Sequence, residues 1–297
     1  RYLKVTNSLV SNQKDIFELE KEYIKVLNEL GKDASTIILM KNLAHIYAFY
    51  SYKSNEAIAL LNEAILIPNA DKKIIAACKL ELADINLFGG DVWEATLLYS
   101  QVEKSFKNEP TGFEAKLKNA RLSYYIGEFE WAKAQLDVLK AATSKLIAND
   151  AMELSLLIGD NMDEDSTYTA LNYFAKADLY EYRNQFDLAF ATLDSTRLLG
   201  LSHPIFDDVL LKKAEIVIKQ GKYKDADSLL QKLVDFYPDG LLADDALFLQ
   251  AELNENQLNN RIKAMICYEN LIFKYPASLY TVEARKKFRK VRGDQLN

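Results

Sequence analysis

The sequence predicts an all-α protein, a solenoid of antiparallel helix pairs with about six full repeats and an insertion of about 20 residues. Three observations carry that prediction. Gly (10) and Pro (5) are scarce among 297 residues, about 5% against the roughly 12% of average usage, so the turn residues of a β-sandwich or doubly wound α/β fold are missing. Alanines recur on a regular ladder along the chain. The longest apolar runs, Ile46 to Tyr50 and Ile74 to Cys78, are far shorter than the roughly 20 residues of a membrane span. With 49% hydrophobic and 27% charged residues, the chain has the composition of a folded, core-bearing protein.

Residues 1–37 read as a degenerate N-terminal helical unit: one amphipathic helix, roughly Lys14 to Leu30, stopped at Gly31. Residues 38–143 hold three repeats. Each has a small residue, then a turn signal and an aromatic, then Ala about twelve positions on, as in Ala83…Gly90-Asp91-Val92-Trp93-Glu94-Ala95 and Ala120…Gly127-Glu128-Phe129-Glu130-Trp131-Ala132. Residues 167–276 hold three more, including Ala177…Asn184-Gln185-Phe186-Asp187-Leu188-Ala189 and Ala214…Gly221-Lys222-Tyr223-Lys224-Asp225-Ala226. The flanking copies, Ala44…Ala57 and Ala251…Ala264, are spaced by 13 rather than 12. The second Ala of each pair therefore falls at 57, 95, 132, 189, 226 and 264. Gly or Asn ends the first helix by accepting a left-handed backbone, and the aromatic is expected in the angle between the helices. One unit cannot bury its own apolar faces, so neighbours must stack.

This pattern resembles the tetratricopeptide repeat, whose small–small–Pro signature is met in full by Ala214, Ala226 and Pro238. The resemblance covers most of residues 38–276 and implies a right-handed superhelix. The period here is 37 to 38 rather than 34, and Pro110 and Pro204 fall late. Larger residues fill the third small position (Val102, Leu139, Leu233, Leu271).

The step from 132 to 189 holds the insertion, placed at 144–166: a short helix at Asn149 to Ile158 and an acidic loop at Gly159 to Asp165. A calcium loop is a poor reading, because a loop begun at Asp160 carries Asp165 at the sixth position and Leu171 at the twelfth in place of Gly and Glu. Residues 277–297 form a capping helix, about Leu279 to Val291. Its cations, Arg285, Lys286, Lys287, Arg289, Lys290 and Arg292, wrap around the helix and suit its C-terminal end. Arg292-Gly293-Asp294 reads as a helix stop.

Lys plus Arg is 37 against 43 Asp plus Glu, a formal charge of -6, which argues against a nucleic-acid surface. Cys78 and Cys267 sit among apolar helical neighbours and read as small core residues. The only histidines are His45, on a first helix, and His203, before Pro204. No zinc-binding or catalytic motif and no phosphate-binding loop occurs. The reading is therefore non-enzymatic, with no cofactor and no metal. The chain starts at Arg1 without a signal-like segment or lipid-acceptor Cys, and is read as a piece of a longer protein, so targeting is undecided.

The resemblance implies that first helices line a concave groove. Helical phase puts Asp84, Arg121, Asp178, Glu215 and Glu252 on that side, with Phe88, Tyr124, Tyr125, Tyr182 and Lys219 nearby. Tyr and Arg tend to carry binding energy, and four acids against one Arg suggest a basic or polar peptide. The expected partner is a protein or peptide, with no nucleic acid and no membrane insertion. The Asn that chaperone-binding members of the family use is replaced by Asp84, Asp178 and Glu215. Tyr275-Pro276-Ala277-Ser278-Leu279-Tyr280 followed by Glu283-Ala284-Arg285 resembles repeat endings in bacterial cell-envelope proteins of the outer-membrane assembly lipoprotein and Tol accessory types. That resemblance implies a scaffold in a periplasmic or membrane-associated envelope assembly. A cytoplasmic regulatory or adaptor module is the alternative, and an enzyme with its site in the insertion is the third.

Overall fold

The computed structural model describes residues 13–141, 144–162, 168–196 and 204–294. Fifteen α-helices and no strand occur among the described residues. They are α1 (Gln13–Leu30), α2 (Ile37–Phe49), α3 (Ser54–Ile65), α4 (Lys72–Gly89), α5 (Val92–Ser105), α6 (Pro110–Tyr125), α7 (Phe129–Leu139) and α8 (Lys145–Asp160). Then come α9 (Thr169–Tyr182), α10 (Phe186–Ser195), α11 (Phe206–Lys219), α12 (Tyr223–Phe236), α13 (Ala243–Asn256), α14 (Arg261–Lys274) and α15 (Thr281–Arg292). The chain divides into two compact units, Arg1–Gly159 and Asp160–Asn297. From α1 to α7 in the first, and from α9 to α15 in the second, each helix packs on the next in chain order. That is the arrangement of a solenoid built from helix pairs.

The alanine ladder is the packing device. All twelve ladder alanines, from Ala44 and Ala57 to Ala251 and Ala264, have 0% exposure. A larger side chain there would force the paired backbones apart. The turn between paired helices repeats as closely. Five residues before each second Ala stands a residue with positive φ: Tyr52 (+56°), Gly90 (+104°), Gly127 (+84°), Asn184 (+58°), Gly221 (+74°) and Asn259 (+51°). The next residue then donates its N–H back across the helix end. Asp91 bonds Asn86, Glu128 bonds Ser123, Gln185 bonds Tyr180 and Lys222 bonds Val217, at 2.8 to 2.9 Å. In the two copies with the wider spacing the same bond reaches one residue further, from Lys53 to Tyr47 and from Asn260 to Asn254. The thirteenth residue is thus absorbed in the turn. The side chains of Asp91 and Asn260 cap the following helices through the N–H groups of Glu94 and Lys263, satisfying donors that a helix start leaves open.

Some local expectations change. Phe129 is buried two residues after its turn Gly, and Phe186 and Tyr223 at the same offset are half-buried, but Trp93 is 86% exposed. It lies three residues past Gly90, a further 100° around the helix, so Val92 takes the inner place. The insertion helix is longer than expected: Gly159 and Asp160 belong to α8 rather than to the acidic loop. Its inner face holds Ala151, Leu154, Ser155 and Ile158, and the Ser155 hydroxyl donates to Asp137 of α7 at 3.1 Å. Asp163, Glu164, Asp165 and His203 lie outside the described residues. The last helix begins at Thr281 and ends at Arg292, where Gly293 takes a left-handed conformation.

Cys78 and Cys267 are buried free thiols, each pushed up to about 11 by burial and so inert core residues at neutral pH. The envelope-like ending is also accounted for by packing. The Tyr275 hydroxyl donates to the Pro238 carbonyl one repeat earlier. Tyr280 donates to Asp245 at 2.7 Å and stacks on Phe248 at 4.5 Å between centroids.

Candidate partner-binding faces

The first helices of the pairs carry the residues expected to meet a partner. In the first unit these are α2, α4 and α6. Asp84 on α4 accepts two bonds from Lys118 Nζ on α6, at 2.7 and 3.0 Å, and one from the Tyr99 hydroxyl at 2.6 Å. One turn earlier, Glu81 lies 2.7 Å from His45 Nδ1 and 3.6 Å from Lys41 Nζ, both on α2. Burial opposes the charge on Glu81, but the His45 hydrogen bond and the charges of His45, Lys41 and Lys118 outweigh it and hold the carboxyl below its ordinary range. Phe88 meets Phe49 edge-on, with ring centroids 5.0 Å apart.

Three members of the expected set differ in accessibility. Tyr124 is 1% exposed, packed against Tyr125 and Phe129, so it is a core residue and not a contact for a partner. Tyr125 is half-buried. Arg121 is exposed, and no carboxylate among the described residues pairs with it.

In the second unit the first helices are α9, α11 and α13, followed by α15. Lys212 on α11 is the hub: its Nζ lies 3.2 Å from Asp178, 3.3 Å from Glu181 and 3.3 Å from Glu215. Lys219 reaches Glu181 at 2.6 Å. Burial works against the Lys212 charge, yet Asp178, Glu215 and Glu181 together raise its pKa. For Glu215, burial dominates and raises the carboxyl even with Lys212 beside it. Burial also opposes the charge on Glu181, but Lys212 and Lys219 prevail and lower it. Glu252 on α13 pairs with Lys287 on α15, and Glu255 lies 3.5 Å from Lys290. Tyr182 is half-buried at the end of α9.

The expectation of an acid-dominated face therefore has to be revised. Asp84, Asp178, Glu215 and Glu252 are all paired, and three of these pairs reach the next first helix: Asp84–Lys118, Asp178–Lys212 and Glu252–Lys287. These pairs link successive first helices side by side. Sequence reasoning missed Lys118, Lys212, Lys287, Glu81 and Glu181. A signal existed for two of them: Lys118 and Lys212 each precede a ladder alanine, Ala120 or Ala214, by two positions.

No group of three or more His, Cys, Asp or Glu side chains among the described residues could hold a metal ion. No described helix is long and apolar enough to cross a membrane. Residues 208–240, covering most of α11, all of α12 and the turn after it, match the family model of the Tetratricopeptide repeat. A comparison with curated proteins yields no match. Repeats of this family generally mediate protein–protein interaction, and the family is typically non-catalytic scaffolding. The chain is a helical repeat protein that contains a tetratricopeptide repeat.

Proposed function

We propose that this protein is a non-catalytic scaffold that holds a segment of a partner protein on the first-helix faces of its repeats. The observation that carries this reading is the set of ion pairs between successive first helices, Asp84–Lys118, Asp178–Lys212 and Glu252–Lys287. Such pairs fix the spacing of those helices before a partner arrives, which lowers the ordering cost of binding. On the surfaces so fixed, Arg121 is exposed and Tyr125 and Tyr182 are half-buried, and we assign them as anchors because Arg and Tyr are enriched where binding energy concentrates. Because the acids are paired with lysines, recognition rests on these anchors and on shape more than on a negative field. A bacterial envelope setting rests on the sequence resemblance of the ending from Tyr275 to Arg285.

The test is affinity capture from native extract by the wild-type chain and by Arg121→Glu/Tyr125→Ala/Tyr182→Ala, with circular dichroism as the check on folding. A partner held by the wild type and lost by the folded variant is the expected result. Equal capture by both removes the first-helix faces from the function. Fractionation that finds the native protein only in the cytosol removes the envelope setting and leaves the scaffold reading intact.

A further inference from the structure

The cations of the last helix are not equivalent. Lys287 and Lys290, three residues apart, turn towards α13 and are taken by Glu252 and Glu255. Arg285, Arg289 and Arg292 lie at i, i+4 and i+7, one stripe on the other side of α15, where they line a groove against α14. The cations thus stand on more than one side of the helix, and three of them share the groove side. The groove walls are apolar: Ile272 and Phe273 from α14, Phe288 from α15. Phe273 is 75% exposed, a large apolar ring left in water. Arg292 folds over the Phe288 ring at 5.3 Å and is held by Asp294. Arg285 and Arg289 are exposed, and neither has an ion-pair partner among the described residues. Glu269 is the one acid in the lining.

We propose that this groove docks a carboxylate-rich peptide segment that carries an apolar anchor side chain. Charge complementarity fixes the sign of the occupant, since two exposed guanidinium groups face the groove with no described carboxylate paired to them, and a guanidinium fork matches a carboxylate in two parallel hydrogen bonds. The apolar walls supply the place for the anchor. The volume, about 230 Å³, is below the roughly 300–1,000 Å³ of small-molecule and cofactor sites, so it suits one or two side chains of a longer chain. A nucleic acid is the poorer fit. Phosphate binding of that kind draws on a broad field of cations, whereas the lysines facing α13 are already paired and the chain as a whole has a charge of -6. A bilayer is poorer still, because its surface cannot enter a concave groove. This site is separate from the first-helix faces and does not depend on them.

The experiment uses the full chain and the fluorescein-labelled peptide Asp-Glu-Asp-Phe-Glu-Asp-Leu-Glu-Asp in an anisotropy titration. The comparison peptide has Asn and Gln in place of the acids. Saturable binding of the acidic peptide that weakens as salt is added is expected, with the amide peptide at least about tenfold weaker. Arg285→Glu/Arg289→Glu should cost at least about tenfold in affinity, and Phe273→Ala several-fold. Lys286→Glu, an exposed cation of the same helix outside the groove, should leave binding within about twofold. Circular dichroism checks that each variant is folded. The proposal is overturned if the acidic peptide does not bind, if the amide peptide binds equally, or if the arginine variant retains full affinity. It is also overturned if oligouridylate or phosphatidylserine vesicles displace the peptide at stoichiometric amounts, which would assign the arginines to phosphate.

Discussion

Tyr52 holds the one turn position of the six that is neither Gly nor Asn. Its φ of +56° brings a Cβ close to the following carbonyl, a strain that costs an L-residue roughly 1–2 kcal/mol. The ring is 85% exposed, so little burial is lost on removing it. Tyr52→Gly should therefore stabilise the protein by about 1 kcal/mol, read as a higher urea midpoint with an unchanged slope. A lower midpoint would mean that the ring does more than the strain costs. Asp208 is the second special residue. Burial, then the neighbouring Asp207 charge, pushes its carboxyl up to about 7, against the bond from Asn161 Nδ2 at 3.2 Å. The folded pKa is above the ordinary value, so the native fold disfavours the charged form. That penalty is absent below about pH 4, grows as pH rises, and is complete above about pH 7. Asp208→Asn should thus stabilise the protein at about pH 8, by on the order of 2 kcal/mol, and change little near pH 4. Thermal melts at both pH values decide it. The two residues differ in legibility. Five of the six left-handed turn positions were readable as Gly or Asn, but nothing in a tyrosine announces a positive φ, and the burial that dominates the Asp208 shift arises only on folding.

At the level of helices, Gly112 marks where α6 crosses the end of α5. A Cβ built there would stand 2.1 Å from the Phe106 carbonyl oxygen and 2.7 Å from its carbon. Both atoms are backbone, so no rotamer can make room and the helix itself must move. Gly112→Ala should cost about 2–3 kcal/mol or more, measured by urea denaturation, although alanine is the better helix former. A neutral result would show that the crossing can open without loss. Lys212 ties α9 to α11 through carboxylates that are mostly buried, with side-chain exposures of 15% for Asp178 and 9% for Glu181. Lys212→Met leaves these acids without their central cation and should cost about 3 kcal/mol at neutral pH. The loss should shrink at low pH as the acids protonate, Glu215, raised by burial, before Glu181, lowered by its lysines. An equal loss at both pH values would assign the effect to packing instead. The helix pairs were legible because apolar periodicity and the alanine ladder are local signals. The ion pairs were not, because Lys118 and Lys212 meet acids 34 residues away, and only stacking brings those positions together. Trp93 was misplaced for a related reason: composition signalled an aromatic in the turn, but one residue of phase decides whether it faces in or out.

For the molecule as a whole, the fold follows from repetition, since each helix pair buries its faces only against its neighbours. Repetition says nothing of itself about what is bound, which explains why the site was legible only in part. Helical phase found the first-helix positions. It could not show that Tyr124 is core, that the acids are paired, or that Arg285 and Arg289 stand apart from the lysines beside them. The proposed scaffold holds its partner on the first helices. Amide hydrogen exchange on the chain with and without its captured partner tests this most directly. The expected result is slowed exchange concentrated in α4, α6, α9 and α11, with α5, α7, α10 and α12 unchanged. Protection confined to those second helices, or to α14 and α15 alone, would contradict the account and move the function to another face.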